Sequence, residues 1–252
     1  MKGIDVYFDF TTDSPGYWDG FWDRKDGLGY GGCDPDCASL TLQKYHQILW
    51  SRELPNGEPM ELKISKLHSN YYYLNWNGTD FGSDSIIVSF RYKKYKHMIN
   101  QVVERVLDYQ NYYENLIRRA YTIGGSIIFP VHRSSMNQMK GMNARISDRW
   151  DLTLECIRRY YAGEESPLYK TIEADKAFYD LFVDFKRYVD FFYLQDAVSD
   201  DYSNVKIWIG NADFNEPGLP KSVDEYFDFI DKEYDFLEKR NRRIEKALID
   251  KI

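Results

Sequence analysis

Residues 95–121 place Ile99, Val102, Val103, Val106, Leu107, Tyr113, Leu116 and Ile117 largely three and four positions apart. That spacing gathers onto one face only in a helix, so a long amphipathic helix is expected there. Two more stretches of similar length carry helical patterns. Residues 168–197 are apolar over more than half of the helical surface, which predicts a central helix. Residues 222–250 read as a final helix, with Pro220 just before it and Ser222 placed to cap it. Shorter helices are expected over Ser39–Trp50 and from about Ser147 to Tyr161, where Trp150, Leu154, Ile157 and Tyr161 form the apolar stripe. Three long helical patterns leave room for only a small sheet.

Strand signals cluster early. Ile4 to Phe10 alternates acidic and apolar residues, the period of a half-buried strand. "MELKISKL", "YYYLNW" and "DSIIVSFRY" read as strands between residues 60 and 92, with "NGTDFGSD" as a hairpin-like break. "SIIFPV", after Gly124-Gly125, reads as a short buried strand, and "VKIWIG" as another. Residues 11–37 are rich in Gly, Asp and Pro and read as a long loop. The expected class is α+β: a helix-dominated single domain over residues 1–252 with a small mixed or antiparallel sheet. Its layers are a strand- and loop-rich part at 1–92 and a mainly helical part at 93–252.

Composition narrows the function classes. The net charge is −7. Phosphate neutralisation by basic side chains dominates non-specific nucleic-acid binding, so a wide duplex-binding surface is not expected. A local basic pocket stays compatible. Aromatic residues make up 17%, with 22 Tyr. Each buried tyrosine needs a partner for its hydroxyl, which suits a core with polar seams or a surface that stacks flat ligands. No window approaches the roughly 20 apolar residues of a membrane span. Three cysteines and no visible signal peptide point to a reduced, cytoplasmic compartment.

The densest polar stretch is "SSMNQMKGMNARISDRWDLTLECIRRYY". Helical spacing lines up Arg145, Asp148, Arg149, Leu152, Glu155 and Arg159, with Asp151 and Arg158 alongside. Three readings fit: a solvated face, a buried ion-pair network, or a ligand site. Arginine suits a bidentate grip on carboxylate or phosphate, which separates this face from an ordinary Lys/Glu surface. In the site reading Arg145, Arg149 and Arg158 hold phosphate, and Asn137, Gln138 and Asn143 orient a nucleotide or nucleic-acid fragment. His132 is the general-base candidate, and Asp148 or Glu155, the other catalytic candidates, orients the arginines or holds a metal. In the rival reading the same residues only fix helix packing. The acidic, Tyr-rich surface, including helix 222–250, then meets a protein partner.

Other chemistry-bearing groups are sparse. Cys33, Cys37 and His46 lack an evident fourth ligand, so zinc is not expected. Asp34 and Asp36 are compatible with a divalent metal held together with a substrate phosphate. His46 sits on the apolar side of its helix and reads as a partly buried, hydrogen-bonded histidine. No P-loop, dinucleotide fingerprint, nucleophile elbow or HExxH motif occurs.

Several strings together resemble an uncharacterised bacterial family of unknown function. They are "NQMKGMNARISDRWDLTLECIRRYY", "LFVDFKRYVDFFYLQDAV", "SLTLQKYHQILWSRELPNG", "SDSI" and "EKRNRRI". The resemblance covers most of the chain and implies a cytosolic bacterial protein, with no activity attached.

Overall fold

The computed structural model of the chain describes residues 3–19, 34–64, 74–86, 96–131, 146–214 and 218–250. It is helix-dominated α+β, with one four-stranded antiparallel sheet of order β1-β2-β3-β4 among the described residues. The strands are β1 (Lys63–Ile64), β2 (Leu74–Trp76), β3 (Thr79–Ser85) and β4 (Ser126–Pro130). The helices are α1 (Pro35–Ala38), α2 (Leu40–Trp50), α3 (Lys96–Arg105), α4 (Tyr109–Ala120), α5 (Trp150–Tyr161), α6 (Tyr169–Ala174), α7 (Lys176–Asp180), α8 (Phe185–Phe191) and α9 (Val223–Ile249).

Asn77 and Gly78 both adopt positive φ, 48° and 80°, which makes the tight two-residue connection between β2 and β3. The break expected over "NGTDFGSD" is therefore confined to these two residues, and Thr79 onward is strand. Among the described residues β4 pairs only with β3, yet it is buried at every position. Pro130 closes it at the sheet edge, where a missing N–H does no harm.

The N-terminal strand expected over Ile4–Phe10 does not form. Its acids act as turn formers instead: Asp5 accepts from the Tyr7 N–H, and Asp9 caps a 3₁₀ turn over Phe10–Asp13. "VKIWIG" is not a strand either. It keeps one bridge, Val198 to Val205. Side chains satisfy part of its backbone: the Trp208 N–H donates to Asp151, while the Ile209 and Trp208 carbonyls accept from Arg149 and Lys232.

The helix expected over 95–121 is two. Asp108 bonds the Asn111 N–H at 3.0 Å and starts α4 afresh, leaving Leu107 fully exposed at the break rather than on an apolar face. The helix expected over 168–197 breaks into α6, α7 and α8. Val183 and Tyr193 take φ of 69° and 56°, which no continuous helix allows, and Asp184 caps α8 through the Arg187 N–H. The segment is central all the same: Phe182 touches Tyr188, Phe191 and Phe192, with ring centroids 5.2–5.3 Å apart.

α9 is the expected final helix, capped by the Ser222 hydroxyl. It lies against Gly124-Gly125, and Asn241 Oδ1 accepts the Gly124 N–H at 2.7 Å. A Cβ on Gly124 would meet that oxygen at 2.5 Å, and one on Gly125 would meet the Ala120 carbonyl at 1.9 Å. Tyrosines form the expected polar seams: Tyr234 donates to the Leu116 carbonyl and Tyr161 to the Tyr179 carbonyl.

Candidate functional site

The described part of the Arg/Asp cluster turns inward. α5 is buried from Trp150 through Ile157, so its charged stripe does not face open solvent. Arg149 and Asp151 are both buried, and their side chains grip each other through two N–H···O bonds, one from Nε at 3.0 Å and one from Nη2. Arg149 also donates to the Gly218 and Ile209 carbonyls, and Asp151 accepts the Leu152 and Trp208 N–H groups. Further along, Glu155 receives Arg158 and Arg159, each at 2.8 Å from its Nε, and Arg158 continues to Glu164. Those two carboxylates hold the Arg158 guanidinium above its usual proton affinity. Asp148 is half-buried just before α5. His132, Asn137, Gln138, Asn143 and Arg145 lie outside the described residues, as does Cys33.

A second polar centre forms where α1, α2, β3 and β4 meet. Strand alternation puts Ser83 and Ser85 on one face of β3. The register sets Ser85 opposite Ser126 and Ser83 opposite Ile128, so all three serines share that face. α1 brings Asp36 over it. Pro35 opens α1, and Asp34 caps it by accepting the Asp36 N–H at 3.0 Å. Ser83 donates to Asp36 Oδ1 at 2.8 Å and Ser85 to Oδ2 at 2.7 Å, while Ser126 Oγ lies 3.5 Å from Oδ1. Both carboxylate oxygens are thus engaged, and the residue keeps partial exposure.

His46 closes the centre from α2. It is fully buried, with Nε2 at 3.1 Å from Ser83 Oγ and 3.2 Å from Ser126 Oγ, and Nδ1 accepting the Trp50 indole N–H at 2.9 Å. The expectation of a partly buried histidine understated this. Behind it stands Arg240 of α9, also fully buried. It donates to the carbonyls of Gly124, Ser126 and Phe192, and Nη2 has no hydrogen-bond partner among the described residues.

These environments push the two ionisable groups in opposite directions. Burial raises the Asp36 carboxyl to about 7; the charges of Asp34 and Asp84 add to the rise, and the Ser85 and Ser83 hydroxyls oppose it. Burial lowers the His46 imidazole to about 3, helped by the positive charge of Arg240. Burial also brings Arg240 down to about 9. These shifts favour an uncharged imidazole at neutral pH and bring the Asp36 carboxyl closer to neutrality than an ordinary carboxylate. Among the described residues, no three His, Cys, Asp or Glu side chains are grouped to hold a metal ion.

In the sequence Asp36 and His46 stand out as separate residues, and nothing there ties the serines to either. The signal lies in the alternating serines of "GSDS", with Ser83 in the expected hairpin-like break and Ser85 in the strand expected after it. Arg240 and Asn241 lie in the charged run "EKRNRRI", where nothing in the local sequence marks them as buried.

The molecule is thus a helix-dominated α+β protein whose small antiparallel sheet carries a Ser/His/Asp centre, buried at His46, Ser83 and Ser126 and half-buried at Asp36. The chain belongs to the family of unknown function DUF6994, whose model matches residues 4–244. Neither curated proteins nor solved structures gave a significant match. Among the described residues no helix is long and apolar enough to cross a membrane.

Proposed function

We propose that the protein is an enzyme that works by general acid–base chemistry at Asp36. The observation that carries this reading is the carboxylate itself: half-buried and held on both oxygens by serine hydroxyls, in a setting whose burial raises its proton affinity toward neutrality. A general acid or base is most effective when its proton affinity lies close to the working pH. The proposed substrate class is a nucleotide or short nucleic-acid fragment in a cytoplasmic setting, with Asn137, Gln138, Asn143 and Arg145, which lie outside the described residues, as its candidate contacts. Arg149 and Arg158 are already engaged by Asp151, Glu155 and Glu164, which makes them braces for α5 and for the chain at Trp208–Ile209 and Gly218 rather than open phosphate ligands. The test is a turnover screen of nucleotides, short RNA and DNA, and simple phosphate and carboxylate esters between about pH 5 and 9. The expected result is an activity with an inflection near neutral pH that Asp36→Asn abolishes while the variant stays folded. No turnover of any substrate, or turnover that survives Asp36→Asn, overturns the reading.

A second reading has one observation in its favour. The mutual saturation of Arg149, Asp151, Glu155 and Arg158 is the pattern of a structural network in a non-catalytic interaction protein. In that case the exposed strip of α9, with Asp228, Asp231, Lys232, Asp235 and Lys239, is the surface that meets a protein partner. That strip is charged on both signs and partly self-paired, through Lys232–Asp228 and Lys239–Asp235 at 2.6 Å.

A further inference from the structure

The polar centre has a direction. An indole N–H can only donate, so His46 Nδ1, 2.9 Å from Trp50 Nε1, can only accept. Trp50 and His46 stand four apart on α2, which stacks them on one helical face. The neutral imidazole carries one proton, and with Nδ1 bare that proton sits on Nε2. Nε2–H therefore donates toward the two serine oxygens. Ser83 gives its single hydroxyl hydrogen to Asp36 Oδ1 at 2.8 Å. In the 2.5 Å contact between the two hydroxyls, Ser126 must then be the donor. Every hydrogen points the same way, from Trp50 through His46, Ser126 and Ser83 to the carboxylate.

We propose that Trp50 and His46 are positioning residues for Asp36: the indole fixes one imidazole tautomer, and the imidazole and serines form a one-way chain of donors ending on the carboxylate. This inference rests on the reading of Asp36 as the reacting group. It also assigns His46 a role opposite to the familiar one. His46 is not a base that activates a serine, because its one free lone pair is taken by Trp50. Ser83 and Ser126 are likewise not nucleophiles here, since neither faces an unprotonated imidazole nitrogen.

Arg240 secures the arrangement from behind. It binds the Ser126 carbonyl at 2.8 Å, which fixes β4 beside the imidazole, and its charge disfavours a second proton on His46. A protonated imidazole would need an acceptor at Nδ1 and find an N–H there. Among the described residues, the charged or titratable groups facing Asp36 include Asp34 at the cap of α1, Asp84 on β3, and Tyr121, whose hydroxyl lies 3.3 Å from Asp34 Oδ1. The acids oppose ionisation of Asp36, and the donor chain favours it. The balance between them sets the proton affinity that the proposed chemistry needs.

The experiment is NMR on the full chain, with ¹⁵N-labelled histidine and ¹³C-labelled aspartate. In the parent protein one histidine should show the Nε2–H tautomer and keep it unchanged from about pH 8 to pH 4, while a single aspartate titrates near neutrality. In Trp50→Phe that histidine should lose its fixed tautomer, and the aspartate should titrate at higher pH than in the parent. Ser126→Ala tests the next link with far less change in the core. It should raise the same aspartate's titration point and leave the histidine tautomer intact. A histidine at position 46 that carries its proton on Nδ1, or that titrates in the ordinary range in the parent protein, overturns the proposal. So does an Asp36 titration that neither variant moves. None of these readouts depends on turnover, so failure of the donor chain is distinguishable from failure of the enzymatic reading.

Discussion

Arg149 and Asp151 stand two residues apart at the start of α5 and hold each other in a bidentate pair with almost no exposure to solvent. The pair joins three segments, because Asp151 also takes the Trp208 N–H and Arg149 also takes the Ile209 and Gly218 carbonyls. Burying two charges is costly, and the cost is recovered only when every N–H and lone pair finds a partner.

Substitution at this pair should therefore read out as stability. Arg149→Lys keeps the charge but loses the planar fork, leaving carbonyls and one carboxylate oxygen without donors. We expect destabilisation of about 2–4 kcal/mol by urea denaturation, and a larger loss, about 3–5 kcal/mol, for Asp151→Ala, which strands a buried cation. An unchanged midpoint in Arg149→Lys would return this arginine to the pool of ligand-binding candidates.

Arg240 makes a different prediction. Its charge is surrounded by backbone carbonyls and tyrosines rather than by a carboxylate, and those carbonyls belong to Gly124, Ser126 and Phe192. Arg240→Met matches the length of the stem but leaves three buried acceptors unpaired. We expect a loss of about 3 kcal/mol or more in equilibrium unfolding. The same change should let the His46 imidazole titrate at higher pH, since a repelling charge is gone. A variant that loses stability with no change at His46 would place Arg240 in the packing alone.

The opposed shifts of Asp36 and His46 give stability a testable pH dependence. Asp36 moves from 3.8 to about 7 on folding, so the folded state binds more protons between these values. Its contribution is most favourable below pH 3.8 and is lost as pH rises through 7. His46 moves from 6.5 down to about 3, so its contribution is full above pH 6.5 and is lost as pH falls toward 3. Between roughly pH 4 and 6.5 the two slopes oppose each other. Relative to the parent, Asp36→Asn should make stability climb more steeply with pH across that window. His46→Gln should tilt it the other way. Urea midpoints across the window check both, and parallel profiles for parent and variants would sink the linkage.

The legible parts of this fold share one property. α2, α5, α9 and β4 each carry their own period and end on their own signals: Ser39 and Ser222 cap, and Gly124-Gly125 marks the strand's approach. The misread parts depend on distant partners. The chain from Val205 to Ile209 has strand composition, yet Asp151 and Arg149, more than fifty residues earlier, take backbone groups a neighbouring strand would have paired. Residues 168–197 have helical periodicity throughout, and Val183 and Tyr193 still turn left-handed at the joins around α8. Propensity summed along a segment does not register such breaks.

The site divides in the same way. The sequence by itself determined that a helix-dominated α+β protein would form, that α5 would carry an unusual density of paired charge, and that Asp36 and His46 were chemically distinctive. Tertiary structure alone decided that the α5 charges turn inward to one another, and that Asp36, His46, Ser83, Ser126 and Arg240 converge. The physical reason is range. Periodicity and capping act within a few residues along the chain. The proton affinity of Asp36 is set by burial, by the charge of Asp34 next to it, and by the Asp84 charge and the Ser83 and Ser85 hydroxyls that packing brings from β3.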